Sequence, residues 1–214
     1  MMGIRQMLDA FAIEPRGVVY AGAHEGEHVP EFLLCGFEHL LLVEPNPERF
    51  KALVKRQSER IRSVCAALND RDGPVSYWAA PESLDVLNSI FEPELEHFAS
   101  LAQRGRHELC FEERSVEGVT LERLLSSDSA VYNLLYMNIQ GAELAALKGA
   151  RSLLSRFDAI ACEVDFVPRY RTGVLYDDLK SFLLEHEFGA QGLWRSEDLE
   201  NDYGMACFIR SNSK

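Results

Sequence analysis

The chain has 214 residues, 47% of them hydrophobic, and a formal net charge of −12. That size and composition suit one globular domain, residues 1–214, and exclude two independent ones as cramped. The acid excess argues against a nucleic-acid partner, which needs a basic face to neutralise phosphates.

The five cysteines, Cys35, Cys65, Cys110, Cys162 and Cys207, are scattered without a C-x-x-C pair, and most sit in apolar runs. They read as small buried hydrophobes in a reducing compartment, not as a disulfide framework or a zinc cage. Residues 1–16 carry Arg5, Asp9 and Glu14, which breaks any secretory core and fits a short amphipathic N-terminal helix. No apolar run approaches the roughly 18 residues that span a bilayer. A soluble, cytoplasmic protein is expected, with no membrane partner and a homodimer left open.

Along the chain, Gly17 to Ala21 is a short inner strand, apolar on both faces. It breaks into Gly22, Ala23 and Gly26, small residues that let the backbone turn sharply, and a helical pattern resumes at Glu27 with Val29, Phe32 and Leu33. Gly36 is placed to end that helix. His39 to Val43 is a second strand closing on Glu44, and in Pro45-Asn46-Pro47 the asparagine can cap the next helix, whose stripe is Phe50, Leu53 and Val54.

Ile61 to Leu68 reads as a third strand, Asn69 to Gly73 as a turn, and Val75 to Trp78 as an extra strand. Residues 81–118 are irregular, a lid or insertion on one reading and surface decoration on the other. Thr120 caps a short helix to Leu125. Val131 to Met137 is a fourth parallel strand leading through Asn138 and Gln140 to a helix that buries Leu144 and Leu147, with Gly149 its weak point. Phe157 to Val164 is a fifth strand running into Glu163 and Asp165. The loop Arg169-Tyr170-Arg171 is either an anion site or solvated. A helix from Leu175 follows, and Gln191 to Trp194 and Met205 to Arg210 close the fold as two strands joined by a polar connection.

Strands alternating with helices imply a parallel sheet covered on both faces, with ligands bound beyond the carboxyl ends of the strands. The glycine turn, Glu44, Asn138 and Glu163 all fall at such ends. Glu44 follows Gly22 by 22 residues, close to the spacing of about 20 expected for a carboxylate that holds ribose hydroxyls. A free helix start beside such a turn suits a nucleotide-like cofactor.

These residues resemble the FkbM-type S-adenosylmethionine-dependent methyltransferases. The matching pieces are VVYAGAHEG, VEPNPERFKAL, AALNDRDG, the Thr120-Leu121 helix start, YMNIQGAELAALKGA, IACEV and YGMACFIR, in the family's order from Gly17 to Arg210. The run Gly141-Ala142-Glu143-Leu144 with Leu147-Lys148-Gly149-Ala150 is the most specific. The resemblance implies an α/β, Rossmann-like class I methyltransferase fold: a mostly parallel, doubly wound sheet with a C-terminal antiparallel hairpin. It further implies S-adenosylmethionine as cofactor and O-methylation of a hydroxyl on a small metabolite or sugar.

By position, Gly22, Ala23 and Gly26 would cradle the cofactor's methionine part and Glu44 its ribose. Ala67 and Leu68 would lie near the adenine, and Asn138 would face the methyl-donor region. Tyr20, Pro45 and Asn46 belong to the same cofactor set. The family usually has Asp at the positions of Tyr20 and Asn138, and an amide can hydrogen-bond but cannot take a proton. A cofactor-binding protein that has lost or altered catalysis is therefore the competing reading.

A hydroxyl acceptor must lose a proton, and the candidate catalytic residues are Glu163, His24 and Asn138. Against a catalytic role, Glu163 could be a cap or surface carboxylate, His24 could only shape its loop, and Asn138 could cap the backbone. His24-Glu25-Gly26-Glu27-His28 also spells the H-E-x-x-H zinc signature, but that chemistry needs both imidazoles on one helical face. Gly26 weakens such a helix and Pro30 cannot donate to the carbonyl of Gly26, so no metal site is expected.

Overall fold

A computed structural model of the chain describes residues 3–99, 110–195 and 202–211. The strands are β1 (Gly17–Ala21), β2 (His39–Val43), β3 (Ile61–Val64), β4 (Ala67–Leu68), β5 (Gly73–Ala79), β6 (Glu112–Val119), β7 (Leu134–Met137), β8 (Ala159–Asp165), β9 (Phe188–Arg195) and β10 (Tyr203–Arg210). The α-helices are α1 (Ile4–Phe11), α2 (Val29–Cys35), α3 (Pro47–Val54), α4 (Leu121–Leu125), α5 (Glu143–Lys148) and α6 (Tyr176–Glu185). Two 3-10 segments, Glu82–Leu87 and Arg151–Arg156, lie among them, and residues 95–99 are also helical.

Seven strands form the main sheet in the order β3-β2-β1-β7-β8-β10-β9. The first five run parallel, and β10 is antiparallel to both of its neighbours. This is the expected doubly wound sheet with its antiparallel closing hairpin. The period-two alternation of strands divides the core between the two faces. Val19, Leu41, Leu135 and Ile160 face α4, α5 and α6 through Leu121, Leu147 and Leu183. Val18, Leu40, Leu42 and Leu134 face α1, α2 and α3 through Leu8, Phe32 and Leu53. Because helices cover both sides, β1, β7 and β8 are buried throughout, which is why β1 and β7 read as unbroken apolar runs and β8 does so as far as Cys162.

Some expectations need correcting. The expected strand Ile61–Leu68 is two strands. β3 ends at Val64, and Ala67 and Leu68 leave the main sheet to pair with Gly118 and Val119 in a second sheet ordered β4-β6-β5. The backbone there finds partners across the chain instead of on β2, as in the bond from Asn69 N–H to the carbonyl of Val119. The second sheet also holds β6, a strand inside the stretch that reads as irregular. Its first residues are solvent-facing, so no apolar alternation marks them.

Gly149 is not a weak point within a helix. It follows α5, and a Cβ there would lie 2.0 Å from the carbonyl oxygen of Asn69, so only glycine permits this crossing. Cys35, Cys162 and Cys207 are buried as expected, whereas Cys65 and Cys110 are exposed. The centre of the expected insertion, 100–109, and most of the closing connection, 196–201, lie outside the described residues. Among the described residues no helix is long and apolar enough to cross a membrane.

Candidate active site

The carboxyl ends of β1, β2 and β7 open onto a cavity of about 290 Å³, near the lower end of the size range of small-molecule sites. Its floor is the turn after β1. Gly22 N–H and Ala23 N–H both donate to the carbonyl of Val43, at 2.9 and 3.1 Å, which folds the turn back over β2. Gly22 has φ +71°, and a Cβ on it would sit 1.9 Å from the carbonyl oxygen of Asn138. Both the left-handed backbone and the close approach to the end of β7 therefore demand glycine.

Glu44 is buried in the cavity wall. One carboxylate oxygen accepts from His24 N–H and the other from Asn46 N–H, each at 2.8 Å. Burial raises its pKa, and these two donors work against the rise. Each oxygen retains a lone pair, so the carboxylate is fixed in direction while still able to accept hydroxyl donors. Ala67, Leu68 and Ile139 supply an apolar wall beside it, suited to a flat ring.

The opposite wall is the segment around the 3-10 turn Glu82–Leu87, with Asp85, Val86, Asn88, Ser89 and Ile90 on the cavity. Charge holds its front end: Asp85 accepts from Arg49 Nε and lies 3.2 Å from His24 Nε2. Arg49 also donates to Glu25 at 2.6 Å, and His24 Nδ1 is 2.6 Å from Glu27. Burial by itself would lower the pKa of His24, but the carboxylates on both ring nitrogens outweigh it and raise the pKa. His24 is thus a clamp between two acids, which favours the imidazolium over the free base that the catalytic reading requires.

Behind Asn138 lies a buried polar cluster. Arg169 donates to Glu163 at 3.0 Å, to Asp165 at 2.8 Å and to Gln140 Oε1 at 3.1 Å. Gln140 Nε2 donates to Glu163 at 2.9 Å and to Asn138 Oδ1 at 2.6 Å. The Tyr170 hydroxyl lies within hydrogen-bonding distance of Gln140 Oε1 and of the carbonyl of Leu87, and Ser89 Oγ donates to the carbonyl of Gln140. This cluster fastens the back of the 82–90 segment. It also corrects both readings of the 169–171 loop: Arg169 and Tyr170 are interior, and the exposed Arg171 pairs with Glu92.

Of the residues singled out in the sequence, the structure brings Tyr20, Gly22, His24, Glu44, Pro45, Ala67, Leu68 and Asn138 to the cavity. Ala23, Gly26, Asn46 and Glu163 are not part of its wall. Ala23 is fully buried, and Gly26 faces Arg56 and Leu53 from a backbone with φ +83°. Asn46 uses its side chain to cap α3 through Glu48 N–H. Glu163 lies inside β8 with its carboxylate turned to Arg169, so it is not an available base at a strand end.

His24 has φ +47° and α2 starts only at Val29, so the two histidines of the zinc-like signature do not share a helical face. Sequence reading missed Asp85, Arg49, Ser89 and the role of Gln140. The glycine at 141 was the one local sign of the turn that gives Gln140 its φ of +54°.

The comparisons agree with this architecture. A search of curated proteins returns no match. Among solved structures, the methyltransferase FkbM of Methylobacillus flagellatus KT superposes with a TM-score of 0.59 at 16% identity, over 91% of this chain and 44% of that protein. This chain thus spans less than half the length of that relative. Magnesium protoporphyrin IX methyltransferase from Synechocystis PCC 6803, solved with S-adenosylmethionine bound, gives 0.54 at 10% identity over 97% of this chain and 76% of the other. A Pyrococcus horikoshii protein assigned to RNA methylation gives 0.51 at 12% identity over 98% and 81%, so the fold alone does not select an acceptor. The family model for the methyltransferase FkbM domain matches residues 21–190, and the chain belongs to that family.

Proposed function

We propose that the protein transfers a methyl group from S-adenosylmethionine to a hydroxyl of a small metabolite or sugar, acting in the cytoplasm. The observation that carries this reading is the pairing, across one cavity, of a glycine turn after β1 with the backbone-anchored carboxylate of Glu44 after β2. The donor set fits the cofactor: Glu44 for the ribose hydroxyls, the wall of Ala67, Leu68 and Ile139 for the adenine, and the turn at Gly22 for the methionine part. The cofactor, when bound, supplies a sulfonium-borne methyl group. The acceptor oxygen would gain that methyl as its bond to sulfur breaks, leaving the neutral thioether S-adenosylhomocysteine, and the hydroxyl proton would pass to water.

Methyl transfer needs chiefly an in-line approach at about 3–3.5 Å, which a rigid cavity can provide. Glu163 and His24 no longer serve as bases in this reading, since one is paired to Arg169 and the other is held between acids. Asn138 has no proton affinity and serves as a hydrogen-bonding wall. The net charge of −12 supports a small acceptor over a nucleic acid. The lack of a free base among the three candidates favours one second reading, cofactor binding without transfer.

Calorimetric titration with S-adenosylhomocysteine tests the cofactor site. Binding is expected, and Glu44→Ala should weaken it by about 1.5–3 kcal/mol, the worth of a hydrogen bond to a charged group. Unchanged affinity in that variant would refute the ribose assignment. Labelled-methyl transfer over a panel of hydroxyl-bearing acceptors then separates the two readings, because product formation excludes binding alone.

A further inference from the structure

The buried cluster behind the cavity settles a polarity that neither the sequence nor the family match addresses. An amide side chain can be turned by half a rotation, exchanging donor for acceptor, and only its partners decide which way it points. For Gln140 the decision is forced. Arg169 has only donors to offer, so the atom 3.1 Å from its Nη2 must be the carbonyl oxygen. The Glu163 carboxylate, itself held by Arg169, accepts, so the atom 2.9 Å from it must be the amide nitrogen. The second N–H of that nitrogen meets Asn138 at 2.6 Å, which makes the Asn138 atom there the oxygen.

The consequence falls on the remaining end of Asn138. Its Oδ1 is used, its Nδ2 has no partner among the described residues, and the residue is exposed in the cavity wall. A neutral NH2 group with two free donors is therefore presented beside the end of β1, in the position where a carboxylate would have been an acceptor. That NH2 group offers nothing to an ammonium and cannot take a hydroxyl proton, but it suits an oxygen lone pair.

We propose that Arg169, acting through Gln140, locks Asn138 as a hydrogen-bond donor, so that the methyl acceptor is held by a carbonyl or carboxylate oxygen near the hydroxyl that is modified. The proposal rests on the methyltransferase reading of the cavity. It narrows the substrate class to hydroxyls flanked by an oxo or acid group. Asn138 is then a specificity-determining residue, and Gln140 and Arg169 are positioning residues.

Side-chain amide NMR of the full chain, ¹⁵N-labelled and saturated with S-adenosylhomocysteine, tests this without a known acceptor. The probes are acetate and dimethylacetamide as oxygen acceptors and ethylammonium as a donor-only control. Asn138→Asp identifies the Asn138 Nδ2 resonances by their disappearance. In the natural chain these resonances should shift with acetate or dimethylacetamide and stay still with ethylammonium. Gln140→Glu replaces the N–H that holds Asn138 Oδ1 with an oxygen, so the amide should turn over. The response to the oxygen probes should then fall at least about tenfold in apparent affinity, and a response to ethylammonium should emerge.

A merely structural role for Gln140 would weaken the response to the oxygen probes without any response to ethylammonium emerging. If Gln140→Glu fails to fold, Asn138→Asp reports instead at the backbone amide of Ile139, which should lose its acetate shift. Shifts with ethylammonium in the natural chain, or with neither kind of probe, would overturn the proposal. Failure to bind S-adenosylhomocysteine at all would instead overturn the methyltransferase reading, so the two failures are distinct.

Discussion

The two walls of the cavity are built by different means. On the β1–β2 side, backbone does the positioning: Gly22 and Ala23 hydrogen-bond to Val43, and Glu44 is held by the N–H groups of His24 and Asn46. On the β7 side, side chains from distant parts of the chain do it: Arg169 and Glu163 orient Gln140, Gln140 orients Asn138, and Ser89 and Tyr170 fasten the covering segment. The first wall depends on a few local conformations. The second depends on a buried charge set in which every member needs the others.

That contrast predicts where the molecule breaks most easily. Arg169→Met should have the largest effect. It leaves the Glu163 and Asp165 carboxylates buried without their cation, which typically costs about 3–5 kcal/mol. Urea denaturation measures it, and a loss below about 1 kcal/mol would show that the cluster does not hold the β7 wall. Gly22→Ala should come next. The left-handed backbone alone costs a non-glycine residue about 1–2 kcal/mol, and the contact with the Asn138 carbonyl adds to that. This variant should also lose S-adenosylhomocysteine binding in calorimetry, whereas a near-neutral result would mean that the two strand ends can part freely.

The smallest effect, taken per pH unit, is one of pH. Glu143, fully buried at the start of α5, has its pKa raised to about 8, first by burial and then by the nearby Asp165 carboxylate. A carboxyl whose folded pKa lies above its unfolded one contributes fully below the unfolded value and loses that contribution as pH rises through the folded value. Thermal stability should therefore decline from about pH 4.5 to about pH 8, by up to about 1.4 kcal/mol per pH unit from this group. Glu143→Gln keeps an oxygen for the Ile139 N–H and should flatten that slope. A slope that persists unchanged would assign it to the Asp165 side of the cluster, whose pKa is also raised, to about 6, by burial.

The strands β1, β2 and β7 were legible because each is buried on both faces, and a doubly covered strand leaves a continuous apolar run, which β8 keeps as far as Cys162. β6 was not, because its exposed first residues carry no alternation, and β4 was merged into its neighbour because two residues are too short to show a change of sheet. At the site, Gly22 and Glu44 could be found from the punctuation of a turn and a fixed spacing. Asp85 and Arg49 could not, since an ion pair between residues 36 apart leaves no periodic trace.

By itself the sequence determined the alternation of strands and helices, the glycine turn after the first strand and the acid after the second. All of these follow from backbone sterics and burial acting over neighbouring residues. Only the tertiary structure decided that Glu163 is a partner of Arg169 instead of a base, that His24 is a clamp, and which atom of Asn138 Gln140 holds. Those outcomes depend on which charges and lone pairs meet across long stretches of chain, and hydrogen-bond polarity is set by the partner, not by the residue that carries it.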